Sequence, residues 1–210
     1  MTGSVAAELA TRPGLRRSFL DSLSPAARAH LLYEWRFWAR PMQLPPAGPW
    51  RVWFIQAGRG AGKTRAAAEF IRAEAESGRA RRIAVVGETA ADVRDVMVEG
   101  PSGILAVSPP GGRPRWQPLL RRLSWANGAV ATTFAAVDPE QLRGPEHDLA
   151  WADEVAKWPD EEAWHNLMMG LRRGAARCVA TSTPRPRAWL RRLLANDVAK
   201  LALPGKALYS

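Results

Sequence analysis

The stretch Arg51-Val-Trp-Phe-Ile-Gln-Ala-Gly-Arg-Gly-Ala-Gly-Lys-Thr64 decides the fold. Its first half is a near-continuous apolar run bounded by turn residues, which is the pattern of a central strand buried on both faces. Glycines then crowd the chain, and a helix-forming segment follows from Lys63 until Gly78 stops it. A buried strand, a glycine-rich turn and a helix in direct succession predict a loop that binds phosphate.

The spacing of residues within this loop has a physical reason. Glycines let consecutive backbone N–H groups turn inward around an anion, and the positive end of the following helix faces the same anion. Lys63 can reach the β and γ phosphates of a nucleotide, and the Thr64 hydroxyl can coordinate Mg²⁺. Arg59 either stabilises charge on the γ phosphate or faces solvent. The predicted cofactors are ATP and Mg²⁺, and the predicted phosphate-binding residues are Ala57, Gly58, Arg59, Gly60, Ala61, Gly62, Lys63 and Thr64.

Two carboxylates, Asp153 and Glu154, directly follow the apolar segment Leu149-Ala-Trp-Ala152. Beside a phosphate loop, the first carboxylate of such a pair binds the Mg²⁺ shell and the second activates the attacking water as general base. Adjacent side chains at the end of a strand point in different directions, so they can divide these roles. The predicted catalytic residues are Glu154, Arg59 and Lys63, and the predicted metal ligands are Thr64 and Asp153.

A third polar segment, Thr181-Ser182-Thr183, ends another apolar run. In a parallel sheet these hydroxyls would lie beside the acidic pair, where they could sense the γ phosphate or hold the water. Alternatively, they could cap the helix that follows. We include Thr181, Ser182 and Thr183 among the predicted nucleotide-binding residues.

The order of elements along the chain predicts an α/β fold with a mostly parallel central sheet covered by helices on both faces. Strands are expected at residues 51–57, 82–87, 148–152 and 177–181. Helices are expected at residues 25–39, 63–77, 90–99, 138–142, 159–173 and 187–196. A β-hairpin is expected where Asn127-Gly128 joins residues 123–125 to 129–134, and residues 100–118 are expected to form a loop. The phosphate loop and the glutamate together predict a P-loop NTPase of the ASCE type with a short helical N-terminal segment.

Composition limits the possible functions. The formal net charge is +10, and the segment from Leu171 onward contributes nine basic residues against one acidic residue. Such a basic end fits a polyanion, most simply nucleic acid, or else a solvated surface shaped by a GC-rich genome. A single cysteine, Cys178, excludes an intramolecular disulfide and a cysteine metal cluster. Without an apolar stretch of membrane-spanning length or a signal peptide, the expected location is cytoplasmic, with no membrane partner.

Together these motifs resemble the N-terminal ATPase domain of the large terminase subunit, the family that powers DNA packaging into tailed phage heads and gene-transfer particles. The matching stretches are Gly58-Arg-Gly-Ala-Gly-Lys-Thr64, Gln141-Leu-Arg-Gly-Pro145, Leu149-Ala-Trp-Ala-Asp-Glu154 and Thr181-Ser-Thr-Pro-Arg-Pro186. The second and fourth stretches are the more specific ones. The resemblance covers roughly residues 25–196.

The resemblance implies further roles and partners. Lys63, Thr64, Asp153 and Glu154 would form the ATPase centre, Thr181 to Thr183 would be the motif that couples hydrolysis to movement, and Gln43 would contact adenine. Double-stranded DNA, the portal protein, the small terminase subunit and neighbouring copies in a ring would be the partners. The implied divisions are residues 1–45 as a helical segment and adenine-side linker, 46–197 as the ATPase domain, and 198–210 as a divergent tail. Because no acidic residue follows Asp197, the nuclease domain of the family is expected to be absent.

Two functions of different classes remain open at this point. The first is a motor ATPase, in which hydrolysis moves a DNA-gripping surface; the helix with Arg187, Arg191 and Arg192 would contact DNA or a neighbour, or would simply be a solvated face. The second is a truncated remnant that binds nucleotide and DNA or packaging partners without translocating. A helicase-like ATPase is a weaker third interpretation, which stimulation by duplex rather than single-stranded DNA would separate from the motor.

Overall fold

The computed structural model describes residues 4–195 and 199–202. Contacts divide the chain into two compact units, Met1–Pro45 and Pro46–Ser210. The end of the predicted helix at residue 196 and most of the predicted tail, residues 198 and 203–210, lie outside the described residues. None of the described helices is both long enough and apolar enough to cross a membrane.

The first unit is helical. It contains α1 (Val5–Ala10), α2 (Pro13–Asp21), α3 (Pro25–Leu31), α4 (Trp35–Trp38) and a 3₁₀ turn at Pro41–Gln43. The single helix predicted over residues 25–39 is wrong, because the chain breaks after Leu31. The Trp38 indole donates to the Leu31 carbonyl at 2.7 Å. In a continuing helix this carbonyl would instead accept from the Trp35 N–H. The Glu34 carboxylate then caps the new helix by accepting from the Arg36 N–H.

The second unit carries the sheet and its helices. Its strands are β1 (Val52–Gln56), β2 (Arg82–Gly87), β3 (Arg115–Gln117), β4 (Arg122–Ser124), β5 (Val130–Ala135), β6 (Leu149–Ala152), β7 (Arg177–Ser182) and β8 (Ala199–Ala202). Its helices are α5 (Lys63–Glu76), α6 (Ala90–Asp92), α7 (Ile104–Val107), α8 (Glu162–Gly170) and α9 (Ala188–Ala195). Short 3₁₀ turns occur at Pro118–Leu120, Pro139–Leu142 and Val155–Lys157.

The eight strands form one sheet in the order β3-β4-β5-β2-β6-β7-β1-β8. The six strands from β5 to β8 in this order pair in parallel, and β3 and β4 add an antiparallel edge. Strand β7 lies between β1, which leads into the phosphate loop, and β6, which leads into the acidic pair. The predicted fold class is confirmed.

Helices cover both faces of the sheet. On one face, the Trp53 ring of β1 packs edge-on against Phe70 of α5, with 5.6 Å between ring centroids. On the other face, Phe54 belongs to a buried cluster that includes Trp164 and Leu167 of α8. Alternate residues of β1 therefore face opposite helical layers, as a strand buried on both faces requires.

Several predicted boundaries need correction. The helix predicted over 90–99 is helix α6 followed by a π-helical turn, Val93–Val98. The predicted loop 100–118 contains α7 and β3. Helix α8 ends at Gly170 rather than near 173, because the chain then turns to form a bridge between Leu171 and His147. The hairpin between β4 and β5 is confirmed, with Gly128 left-handed at φ 86° in its turn.

Candidate active site

The phosphate loop follows β1 at the edge of the sheet where the parallel strands end. The Ala57 N–H donates to the Ser182 carbonyl at 3.1 Å, which fixes the start of the loop to β7. Gly60 and Gly62 have φ values of 73° and 80°, in the left-handed region that a side chain would disfavour. Within the described part of the chain, the N–H groups of Gly58, Gly60 and Gly62 have no backbone acceptor. The loop therefore offers unpaired donors at the N-terminus of α5, as an anion site requires.

The Lys63 ammonium group lies at the centre of the site and is buried. It donates to the carbonyls of Ala57 at 3.0 Å and Gly58 at 3.1 Å, and to the Thr183 hydroxyl at 3.4 Å. It also forms an ion pair with Glu154, with 3.3 Å between Nζ and Oε1. One side chain thus joins the phosphate loop, the acidic pair and the end of β7.

Glu154 occupies an uncommon backbone conformation. Its φ of 48° and ψ of 47° are left-handed, a region in which non-glycine residues are rare and which costs about 1 kcal/mol or more. The Glu154 N–H donates to the Thr181 hydroxyl at 3.1 Å. Its carboxylate accepts from the Thr183 N–H at 2.9 Å and from the Thr183 hydroxyl at 2.8 Å. These contacts hold the backbone turn and aim the carboxylate toward Lys63.

The surroundings of Glu154 lower its pKa. Burial acts to raise the pKa, but the N–H and hydroxyl of Thr183 and the charge of Lys63 together outweigh it. The carboxylate is thus ionised, as a general base must be before it accepts a proton.

Asp153 is more deeply buried than its neighbour. Burial raises its pKa to about 6, with a further contribution from the Glu154 charge, while a hydrogen bond from Thr181 and the charge of Lys63 oppose the shift. The Thr181 hydroxyl donates to Asp153 Oδ1 at 2.6 Å. The main chain is held as well, because the Asp153 N–H donates to the Val86 carbonyl and the Trp158 indole donates to the Asp153 carbonyl.

All three hydroxyls of the Thr181-Ser182-Thr183 segment point at or next to the acidic pair. Ser182 accepts from the Ala156 N–H at 3.3 Å and donates to the Thr183 carbonyl at 3.0 Å. Because their described partners lie in residues 153–156, Lys63 and their own backbone, the hydroxyls do not cap α9. The strand order explains this arrangement, since β7 and β6 are neighbours.

Arg59 and Gln43 are the two remaining predicted residues. Arg59 is exposed and pairs with no carboxylate within the described residues. Gln43 belongs to the first unit, where its side-chain oxygen accepts from the Arg40 N–H at 3.0 Å. Its role at adenine therefore stays a prediction.

The basic helix makes contacts of its own. Arg187, just before α9, donates from Nε to the Ala156 carbonyl at 3.1 Å, so it supports the turn after the acidic pair. Arg192 pairs with Glu161 at 3.0 Å, and Arg191 is exposed. Sequence reasoning missed the Arg187 contact and the Trp158 indole on Asp153, because only the fold brings their partners together.

The residues present fit a magnesium ion shared with nucleotide phosphates. Within the described residues, no group of three or more His, Cys, Asp or Glu side chains could hold a metal by itself. Mg²⁺ in phosphate sites is typically held by one or two protein oxygens, substrate phosphates and waters. Thr64 is the second residue of α5, next to Lys63, and the buried Asp153 carboxylate is close enough to Lys63 for the two charges to interact.

Comparison with known proteins agrees with this geometry. Solved structures similar to this chain include the large terminase of a thermophilic bacteriophage (TM-score 0.59, 16% identity, 84% of this chain and 44% of that one). They also include the large terminase ATPase domain of Thermus phage P74-26 (TM-score 0.60, 18% identity, 81% of this chain and 74% of that one). The first of these terminases, solved in complex with ATP-γ-S, matches as well (TM-score 0.58, 17% identity, 84% and 43%). The chain thus spans less than half of that thermophilic phage protein.

Sequence comparison is the more decisive evidence for the family. No curated protein matches the chain. The family model described as terminase large subunit, T4likevirus-type, N-terminal, matches residues 54–206, which is more than half of the sequence. The chain therefore belongs to the family of the terminase large subunit and carries its N-terminal domain.

Proposed function

We propose that this domain hydrolyses ATP and couples hydrolysis to the movement of double-stranded DNA during packaging. The observation that carries the proposal is the cluster in which Lys63 contacts Glu154 and Thr183 while Thr183 holds the Glu154 carboxylate. Nucleotide binding is supported by the similar large terminase of the thermophilic bacteriophage, which has been solved with ATP-γ-S and with ADP.

Phosphate binding begins with an exchange of partners at Lys63. Its ammonium group now donates to two loop carbonyls, and phosphate oxygens are stronger acceptors because they are charged. The unpaired N–H groups of the glycine loop supply further donors to the same phosphates. Lys63 thereby binds the β and γ phosphates and stabilises the charge that develops on them. Arg59 is close enough in sequence to add a second positive charge from the loop.

Thr64 and Asp153 would hold Mg²⁺. When bound, this ion would supply positive charge that offsets the negative charge developing as the phosphoryl group leaves. The Thr181 hydroxyl now bonds the Asp153 carboxylate and fixes its direction. The Trp158 indole donates to the carbonyl of Asp153 and so holds the backbone of this residue in place.

Glu154 is the general base in this proposal. It accepts a proton from the water that attacks the γ phosphorus, a role worth about 10²–10⁴-fold in rate. Thr183 positions the carboxylate through two hydrogen bonds and lies at the end of β7, so movement at this strand end changes the direction of the base. This link is the structural support for coupling by Thr181, Ser182 and Thr183.

The partners follow from the family and stand as part of the proposal. They are double-stranded DNA, the portal protein, the small terminase subunit and further copies of the chain in a ring, in the cytoplasm of a bacterial host. A neighbouring copy can supply an arginine that completes the site, in which case the isolated domain turns over slowly. Residues 46–197 would form the ATPase domain, and residues 1–45, including Gln43, would lie on the adenine side.

The experiment is steady-state phosphate release from Mg-ATP, with and without duplex DNA, for the wild type and Glu154→Gln. Asp95→Asn is the matched control, because Asp95 is an exposed carboxylate paired only with Arg94 among the described residues. We expect DNA-stimulated turnover that falls at least about 100-fold in Glu154→Gln and is unchanged in Asp95→Asn. Nucleotide binding without turnover at any protein concentration would refute the motor and favour a binding remnant. Greater stimulation by single-stranded DNA would favour a helicase-like ATPase.

A further inference from the structure

The turn between β3 and β4 presents two leucines to solvent. Leu119 is 99% exposed and Leu120 is 57% exposed. The turn is fixed by its own backbone, because the Arg121 N–H donates to the Pro118 carbonyl at 3.0 Å and the Arg121 carbonyl accepts from Thr133 at 2.9 Å. Arg121 is left-handed, with φ 49° and ψ 43°. A strained, hydrogen-bonded turn that holds apolar side chains in water is typical of a contact site.

Four exposed arginines lie close to these leucines in the sequence. Arg113, Arg115, Arg121 and Arg122 are all exposed, and no acidic residue occurs between positions 113 and 124. Within the part of the chain that the structure describes, Arg113, Arg115 and Arg122 form no ion pair. Arg121 donates to the side-chain oxygen of Gln141 at 2.7 Å, and Gln141 in turn contacts Asp138. Among the described residues, two carboxylates are linked to this region without pairing with any of the four arginines: Asp138 through Gln141, and Glu99 through the Trp116 indole.

Strand register places two of these arginines on one face of the hairpin. Gln117 pairs with Arg122, and Arg115 lies two positions before Gln117, so Arg115 and Arg122 share a face as diagonal neighbours about 7–8 Å apart. The opposite face carries the pair formed by Trp116 and Leu123. There the Trp116 indole donates to the Glu99 carboxylate at 2.9 Å, and Leu123 is buried. The Glu99 carboxylate therefore contacts the face that carries Trp116 and Leu123, and not the face that carries the arginines.

The turn lies at the same edge of the sheet as the phosphate loop. Strand β4 runs antiparallel to β5, with Arg122 opposite Thr132, so the turn before β4 meets the carboxyl end of β5. That end is also where β6 leads into Asp153. Strand β4 is five positions from β1 in the sheet, about 24 Å at the usual strand spacing. A ligand at this turn would thus leave the nucleotide site open while resting on the same sheet edge.

We infer that the turn Pro118–Arg121 with Arg115 and Arg122, named here the β3–β4 tip, contacts duplex DNA. The arginines bind backbone phosphates, and the leucines lie against the sugar edges of the minor groove, where proteins often place apolar side chains. Charge selects this partner, because Arg113 and the three arginines of the tip have no paired carboxylate among the described residues and together complement a polyanion. This inference rests on the proposed function, which supplies the need for DNA.

The test is duplex binding by fluorescence anisotropy between 50 and 200 mM salt, with a labelled 30-base-pair duplex and the full chain. The first variant is Arg115→Ala with Arg122→Ala, and the second is Leu119→Ser with Leu120→Ser. The matched control is Arg82→Ala, since Arg82 is an exposed arginine at the opposite ends of the parallel strands.

The two variants should fail in different ways. Each lost phosphate contact makes the slope of log affinity against log salt shallower by about 0.9. For a fourfold rise in salt, the resulting loss of affinity is then smaller by a factor of about 3.5 for each lost contact. The double arginine variant should therefore bind duplex DNA more weakly at 50 mM salt. Its loss of affinity between 50 and 200 mM salt should be about 12-fold smaller than that of the wild type. The leucine variant should lose affinity at every salt concentration with an unchanged slope. Arg82→Ala should lose much less affinity than the double arginine variant.

Other outcomes overturn the inference. If both variants bind duplex DNA as tightly as the wild type does, the DNA contact lies elsewhere and the proposed function is unaffected. A change in the sedimentation of the protein alone, with unchanged DNA binding, would make the tip a contact between copies. ATP turnover without DNA is measured on the same samples, so a wild type that hydrolyses ATP yet binds no duplex would refute the DNA role of the whole domain. The substituted side chains are exposed, and thermal midpoints close to the wild type confirm that each variant is folded.

Discussion

Acid should weaken this fold through one buried side chain, His147. Only 4% of His147 is exposed, and its ring lies edge-on to Phe134 with 5.5 Å between centroids. Its Nε2 atom has no hydrogen-bond partner among the described residues. Burial lowers the pKa of His147 to about 4; the charge of Arg82 acts in the same direction and that of Asp148 opposes it.

The sign of the effect follows from proton binding. In the unfolded chain the pKa of histidine is about 6.5, so between pH 6.5 and pH 4 the unfolded state holds a proton that the folded state does not. Above this pH window His147 therefore causes no loss in the free energy of unfolding. The free energy of unfolding falls as the pH drops through the window. The loss from this residue amounts to about 2 kcal/mol between pH 7 and pH 5, and approaches about 3 kcal/mol below pH 4.

The assay is urea unfolding at pH 7 and pH 5 for the wild type and His147→Phe. Phenylalanine keeps a buried ring but cannot be protonated, so the variant should lose about 2 kcal/mol less than the wild type between the two pH values. The matched control is His165→Phe, since His165 is exposed on α8, and its pH dependence should follow the wild type. Equal pH dependence of His147→Phe and the wild type would refute the reasoning.

Three further outcomes are expected. Lys63→Ala should reduce nucleotide affinity at least about 100-fold, measured by titration calorimetry, because a charge-assisted contact to two phosphates is lost; unchanged affinity would remove this lysine from the site. Gly87→Ala should cost about 1–3 kcal/mol in urea unfolding, because its Cβ would lie 2.8 Å from Val93, whereas Gly111→Ala has open space and should cost far less. Glu74→Gln should cost about 1–2 kcal/mol in the same assay, because this buried carboxylate loses charge-assisted bonds from Arg79 and Arg177, which are themselves partly exposed to water; a cost below about 0.5 kcal/mol would contradict that role.

The sheet could be predicted because its signals are local. A parallel strand covered on both faces must be apolar along its whole length, and β1, β2, β6 and β7 each carry that signal in a few consecutive residues. The glycine-rich loop could be predicted for the same reason, since its function depends on backbone conformation within a few positions. Helix breaks were missed because they depend on side chains such as Trp38, whose indole takes the carbonyl at the break.

The contacts within the candidate site could not be predicted from local signals. Lys63 and Thr183 are 120 positions apart, and only the placement of β7 beside β1 brings them within 3.4 Å. The left-handed backbone of Glu154 was equally hidden, because nothing in a glutamate favours that conformation. Its stability comes from the Thr181 hydroxyl in β7 and the Thr183 backbone directly after β7.

In the proposed mechanism, these same long-range contacts would let nucleotide binding alter the acidic pair and the end of β7 together. Lys63 has a fixed set of donor hydrogens, which loop carbonyls, Thr183 and Glu154 now occupy. Phosphate oxygens compete for these donors, and each donor that Lys63 transfers weakens its hold on the glutamate and on the end of β7. The positive charge that helps to lower the pKa of Glu154 would then act on phosphate instead, which would make the carboxylate a stronger base in the proposed mechanism. Thr183 would remain bound to the same carboxylate. Phosphate binding at Lys63 would therefore act on the proposed base and on the end of β7 together.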